Sequence, residues 1–76
     1  MTNTLEFKVV LLRKGWTAEK LADSIGMSCQ SLSYKINNKR EFTSSEIANI
    51  QKTLGLSSEE RDKIFFTEMV ENISTN

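Results

Sequence analysis

The sequence has no proline and no histidine, and it contains a single cysteine, Cys29. Without histidine, both a spaced set of metal ligands and a histidine-based catalytic pair are missing. One cysteine also excludes an intrachain disulfide. A glycine-rich phosphate loop is missing too. We therefore expect a binding protein and not an enzyme, with no metal, no cofactor and no small-molecule ligand.

Long apolar runs are missing as well, since none approaches the roughly 18 residues of a membrane span. The N-terminus has no charged stretch followed by an apolar core and a cleavage site, so we expect a cytoplasmic protein with no membrane partner. Apolar residues make up 38% of the 76 residues and charged residues 26%, a balance typical of globular domains. This length predicts one domain over 1–76, with a frayed tail at about 73–76.

The formal net charge is zero, although nucleic-acid-binding domains are usually basic. The charges are unevenly distributed along the chain. Residues 1–40 carry seven basic and three acidic side chains, a net charge of +4, and residues 41–76 carry the reverse, a net charge of −4. Such a division suggests one basic working face, but short helical domains also divide their charges by chance. The charge pattern alone does not choose between these two explanations.

Apolar residues at spacings of three and four predict five α helices, at about 4–14, 17–25, 28–37, 43–54 and 58–72. No segment alternates with the period of two that is typical of a strand. Thr17, Ser28 and Thr43 are predicted N-caps, because each has an apolar residue before it and another four positions after it. Thr43 with Glu46, and Ser57 with Glu60, predict two capping boxes. The chain should therefore be an all-α domain of five short helices.

The segment Leu21–Arg40, LADSIGMSCQSLSYKINNKR, places a small residue and a glycine between two predicted helices. Two helices that cross steeply through a short turn need a small residue at their contact and a glycine in the turn. Ala22 and Gly26 meet both needs. With the apolar positions around them, residues 18–37 resemble the helix-turn-helix of the Cro and phage-repressor (XRE-like) family, and the resemblance extends over about 5–66.

The resemblance implies a compact lambda-repressor-like domain that binds double-stranded DNA in the bacterial cytoplasm, on the nucleoid. It implies a phage or prophage regulator of transcription that represses by occupying an operator. In that family the second helix of the motif, here 28–37, lies in the major groove. The candidate base-reading residues are Cys29, Gln30 and Ser33. The Gln30 amide can match the N6 and N7 edge of adenine, and the Cys29 thiol suits a thymine methyl group, with redox sensing as its alternative role.

The resemblance also implies contacts to the DNA backbone, from helix N-termini and from the loop that follows the recognition helix. The residues at these positions are Thr17, Ser28, Tyr34, Lys35, Asn37, Asn38, Lys39 and Arg40. Packing is the alternative role for Tyr34. Asn38 stands where relatives often have glycine, and asparagine tolerates the left-handed backbone of such a turn.

The sequence departs from the family pattern in three respects. Lys35 falls where relatives bury an apolar side chain, so we expect Ile36 to take over that packing while the Lys35 ammonium reaches water or a phosphate. Ala18 replaces a glutamine that braces the base-reading residues in some relatives, and we therefore expect a different sequence specificity. Leu11 and Ile36 stand where some relatives bury an ion pair, which an apolar pair can replace.

A homodimer on a partly palindromic operator is the family's usual arrangement, because one such domain makes few DNA contacts. The candidate dimer surface lies on the fifth helix and comprises Phe65, Phe66, Met69 and Val70. Sealing the core of the monomer is the alternative role for these side chains. The competing function is an antitoxin or anti-repressor-type module that keeps the fold and binds another protein through its acidic half.

Overall fold

The computed structural model describes residues 1–66 of the chain. These residues form five α helices, α1 (Thr4–Arg13), α2 (Ala18–Ser24), α3 (Cys29–Ile36), α4 (Ser44–Leu54) and α5 (Ser58–Phe65). No strand occurs in this part of the chain, so the predicted all-α class with five helices is confirmed. None of these helices is both long enough and apolar enough to cross a bilayer.

The fifth helix is the one whose predicted boundary is corrected. It ends at Phe65 and not near residue 72, because the backbone of Phe66 leaves the helical region with a φ of −124°. The remaining predicted helical residues lie outside the described residues, together with Met69 and Val70 of the candidate dimer surface and the tail at 73–76.

Side-chain caps define where the helices begin. Thr17, Ser28 and Thr43 each accept a hydrogen bond from the backbone N–H three residues later, as predicted. The two predicted capping boxes, Thr43 with Glu46 and Ser57 with Glu60, are both formed. Asn3 caps α1 in the same way, with its Oδ1 3.1 Å from the Glu6 N. Each such cap contributes about 1 kcal/mol, which matters for helices of two or three turns.

The ends of α2 and α3 are closed by residues with a left-handed backbone. Gly26 has a φ of 72° and Asn38 a φ of 64°. In both cases the next residue donates its N–H back to the helix, from Met27 to the Ala22 carbonyl at 2.9 Å and from Lys39 to the Tyr34 carbonyl at 2.8 Å. The expected backbone roles of Gly26 and Asn38 are therefore confirmed.

One apolar core joins the five helices. Its buried members are Phe7, Val10, Leu11, Leu21, Ala22, Leu32, Ile36, Ile50, Leu54, Leu56, Ile64 and Phe65. Phe65 is only 5% exposed and meets Phe7 and Phe42 edge to face, with ring centroids 5.7 and 5.2 Å apart. Phe65 therefore belongs to the core and not to an association surface. Phe66, in contrast, is 43% exposed.

Hydrogen bonds near the N-terminus connect three elements. The Asn3 N–H donates to the Ile64 carbonyl of α5 at 2.7 Å. The Thr4 hydroxyl donates to the Ile36 carbonyl, the last residue of α3, at 2.6 Å. The start of α1 thus fixes the C-terminal end of α3. Because Leu32 and Ile36 anchor its inner side in the core, α3 is held firmly while its outer side remains open.

Candidate nucleic-acid interface

The outer face of α3 carries a continuous stripe of exposed side chains. Its members, which we call the α3 stripe, are Cys29, Gln30, Ser33, Tyr34 and Asn37. They recur at spacings of one, three and four residues and therefore lie on one side of the helix, opposite the buried core residues. The structure thus brings the three candidate base-reading residues together on one surface. Their contact with bases remains a prediction.

Tyr34 lies between two polar groups on this surface. The Gln30 Nε2 donates a hydrogen bond to the Tyr34 Oη at 3.1 Å. The Lys39 ammonium lies 5.7 Å from the centroid of the Tyr34 ring, within the range of a cation–π contact. The Gln30 amide is therefore oriented along α3 before any partner binds. Its carbonyl oxygen and second N–H remain available to a base edge.

Lys35 makes a contact that the sequence did not predict. Its Nζ lies 2.7 and 2.6 Å from the two carboxylate oxygens of Glu46 on α4, and its side chain is 13% exposed. The ammonium is therefore engaged inside the fold, which corrects the expectation that it reaches water or a phosphate. Ile36 is 3% exposed and does take over the apolar packing, as expected. Leu11 is buried in the same core.

Glu46 remains ionised because of its partners. Burial raises the pKa of this carboxyl, but hydrogen bonds from Lys35 and the Thr43 N–H, together with the positive charge of Lys35, lower it by more. The pKa of Glu46 therefore lies below its ordinary value of 4.5. Glu46 is therefore ionised at neutral pH, and because its charge offsets that of its partner, Lys35 adds little positive potential to the outer surface.

Asn38 also differs from its expected role. Its Oδ1 accepts the Thr2 N–H at 2.8 Å, and its Nδ2 donates to the Thr2 carbonyl at 2.9 Å. Both ends of the amide thus hold the N-terminal segment, so Asn38 positions the loop and does not offer its amide to a phosphate. Asn37 folds back on its own helix, with its Nδ2 2.9 Å from the Ser33 carbonyl. Thr2 and Asn38 are 36 positions apart, so no local pattern in the sequence indicates that they pair.

The cations that remain around α3 are few. Lys39 and Arg40 are exposed in the loop after it, and Arg40 has no ion pair within residues 1–66. Lys20 was not predicted, but its ammonium is exposed in the first turn of α2, 5.0 Å from the centroid of the Trp16 ring. An aromatic residue just before a capped helix with a lysine in its first turn is a signal that the sequence does contain.

Thr17, Lys20 and Cys29 line one open cleft of about 400 Å³ between the starts of α2 and α3. The Thr17 and Ser28 hydroxyls near it act as caps, accepting the N–H groups of Lys20 and Ser31 at 3.1 Å. The carboxylates of Glu19 and Asp23 also line the cleft and oppose an anion there. A phosphate at the N-terminus of α2 would therefore meet two carboxylates as well as one ammonium.

Residues 1–66 contain no group of three side chains placed to hold a metal ion. Comparison of the chain with protein-family models, with curated proteins and with solved structures found no match. Its function must therefore be inferred from its own residues and geometry.

Proposed function

We propose that this protein is a sequence-specific double-stranded DNA-binding regulator of transcription, with α2 and α3 as a helix-turn-helix of the Cro and phage-repressor type. The α3 stripe is the observation that carries the proposal. A rigidly anchored helix presents an amide, hydroxyls and a thiol on one exposed face, and it follows a second helix across a glycine turn. Occupation of an operator, in the form of a homodimer on a partly palindromic site, would then block transcription.

The chemistry of the stripe suits base edges better than phosphates. The major groove is about 12 Å wide and admits one α helix, whose outward side chains then meet donors, acceptors and methyl groups. The α3 stripe has no charged member, whereas the exposed cations Lys39 and Arg40 follow the helix. Neutral polar groups at the centre with cations at the edge match the division between base contacts and backbone contacts.

A protein-interaction module of the antitoxin or anti-repressor type is the second candidate. Two observations favour it, the engagement of Lys35 by Glu46 and the carboxylates of Glu19 and Asp23 beside the start of α2. Both reduce the positive potential around α3 that a DNA-binding surface normally has. The two candidates differ in whether the α3 stripe discriminates among DNA sequences.

Selection of duplexes from a random library by the full chain, followed by fluorescence anisotropy on the selected duplex, tests the proposal. We expect Gln30→Ala to weaken binding to the selected duplex about 5-fold or more, because one good amide–base contact contributes about 1–3 kcal/mol of discrimination. Binding to an unrelated duplex should change little. Asn49→Ala is the matched control, since it removes an exposed amide from α4.

Arg40→Ala should weaken binding to selected and unrelated duplexes by similar factors, because a phosphate contact carries no sequence information. Lys52→Ala on α4 removes an exposed cation of similar reach and should have little effect. The proposal fails if no sequence is enriched, or if the Gln30 and Arg40 variants bind the selected duplex as well as the unmodified protein. That result would favour the protein-interaction module.

A further inference from the structure

The outer face of α1 carries an apolar stripe that the core does not use. Leu5, Val9 and Leu12, which we call the α1 stripe, are 73%, 42% and 81% exposed. Their spacings of four and three residues place them on one side of the helix, opposite its buried residues. Scattered exposed leucines are ordinary, but three aligned apolar side chains form a contiguous patch of the kind that marks an interaction site.

We infer that the α1 stripe binds the same stripe of a second copy of this chain, with the two α1 helices antiparallel about a two-fold axis. The stripe is complementary to itself in that arrangement. Val9 lies near its centre, so Leu5 of each copy meets Leu12 of the other. A two-fold interface requires such self-complementarity, because the same patch of both copies forms the contact.

The charges beside the stripe favour the antiparallel direction. Glu6 and Arg13 are seven residues, or about two turns, apart and flank the same side of the stripe. Antiparallel packing places each Glu6 near Arg13 of the other copy, whereas two-fold parallel packing would turn that side of each helix toward the Lys8 side of the other and would not pair Glu6 with Arg13. Arg13 can reach this contact although it pairs with Glu60, because its side chain is 57% exposed and the 3.6 Å ion pair is a surface contact of little strength. Lys8 lies on the other side of the stripe. It would come near Lys8 of the second copy, and this repulsion would oppose association.

The interface is small. Three side chains from each copy cannot bury the roughly 800 Å² of surface per partner that a standard stable complex buries. The dissociation constant should therefore be micromolar or weaker. Two copies held side by side on DNA would associate more readily, because their effective concentration is higher. The α1 stripe itself does not depend on DNA binding, and its test requires no DNA.

Sedimentation equilibrium of the full chain, from about 10 µM to 1 mM, provides that test. We expect the average mass to rise above that of the 8.7 kDa monomer as the concentration increases. The double variant Leu5→Gln with Leu12→Gln should raise the dissociation constant at least about 10-fold, since both leucines would be buried in the dimer. Phe66→Gln removes an exposed apolar side chain of the candidate dimer surface on α5, and we expect it to leave the dissociation constant unchanged because Phe66 lies outside the α1 stripe.

Charge reversal tests the direction of packing. Glu6→Arg alone or Arg13→Glu alone should weaken association several-fold, because each turns two attractive pairs into repulsive ones. The two reversals together should restore it. Lys8→Gln should strengthen association by removing a repulsive pair.

Three results would overturn the inference. One is a chain that stays monomeric throughout the concentration range. Another is association that survives the leucine substitutions and disappears with Phe66→Gln, which would place the interface on α5. The third is a leucine variant that unfolds more easily while the unmodified chain unfolds independently of concentration, because the stripe would then be covered within one copy.

Discussion

Asn38 combines two stabilising roles in a single residue. Its left-handed backbone lets Lys39 close the end of α3, and its amide makes two hydrogen bonds with the Thr2 backbone. Thr2 is 8% exposed, so these bonds are partly shielded from water. The first role was predictable, because asparagine follows the last periodic apolar residue of the helix. The second was not, because no local pattern identifies a partner near the N-terminus.

Substitution of Asn38 separates the two roles. Asn38→Gly keeps the backbone freedom and loses the hydrogen bonds, so we expect a loss of about 1–2 kcal/mol in the free energy of unfolding. Asn38→Ala also forces a side chain into a left-handed conformation and should lose about 1 kcal/mol more. Urea unfolding followed by circular dichroism measures both values. Asn37→Ala is the control. Its loss in the free energy of unfolding should stay below about 0.5 kcal/mol, since the hydrogen bond of the Asn37 side-chain amide is exposed. Equal losses for the glycine and alanine variants would contradict the backbone role.

At the level of the helices, boundaries were easier to predict than contacts. Caps such as Ser28 and the Thr43–Glu46 box are encoded within four residues, so they could be identified from the sequence. Glu46 also binds Lys35, 11 residues away on another helix, and nothing in a local pattern indicates that use. The same limit applies to the candidate site. The periodicity placed Gln30 and Ser33 on one face, but it could not reveal that Lys35 is already engaged.

The lowered pKa of Glu46 predicts a pH dependence of stability. A carboxyl whose pKa is lower in the folded than in the unfolded chain stabilises the fold fully above its ordinary pKa, near 4.5, and this contribution is lost as the pH falls through the folded value. We therefore expect the free energy of unfolding to decrease below about pH 5. Glu46→Gln should reduce that decrease, whereas Glu19→Gln, on the exposed side of α2, should not. An unchanged pH profile for Glu46→Gln would contradict the assignment.

A double-mutant cycle measures the contact between α3 and α4 directly. Lys35→Met, Glu46→Gln and the double variant should give a coupling energy of about 1 kcal/mol, above that of most exposed pairs, because the Lys35 side chain is 13% exposed. The cycle for Arg13 and Glu60 should give a smaller coupling, since these groups are 3.6 Å apart and more exposed. Similar couplings in both cycles would indicate that the Lys35–Glu46 geometry is not maintained in solution.

Over the whole molecule, the basic half of the sequence does not become a strongly basic surface. Lys35 is neutralised by Glu46, and Arg13 and Lys14 lie within 3.6 and 3.8 Å of a Glu60 carboxylate oxygen. The pKa of Glu60 lies below its ordinary value. The main cause is a hydrogen bond from the Ser57 N–H, and after an opposing effect of burial the positive charges of Lys14 and Arg13 lower the pKa further. The uneven distribution of charge along the sequence does not decide which cations remain available, because the fold pairs several of them with carboxylates.

DNA binding should therefore depend only moderately on salt. Lys20, Lys39 and Arg40 are the exposed cations around α3, so a plot of log K against log salt should have a slope of about −3 per chain. All seven cations of residues 1–40 would instead give about −6. Titrations of the selected duplex from about 50 to 300 mM KCl measure the slope. Arg40→Gln should reduce its magnitude by about 1, whereas Lys35→Met should leave it unchanged, because the Lys35 ammonium is held by Glu46. A slope whose magnitude falls with Lys35→Met would mean that this ion pair opens on DNA and that α3 gains a phosphate contact absent from the free protein.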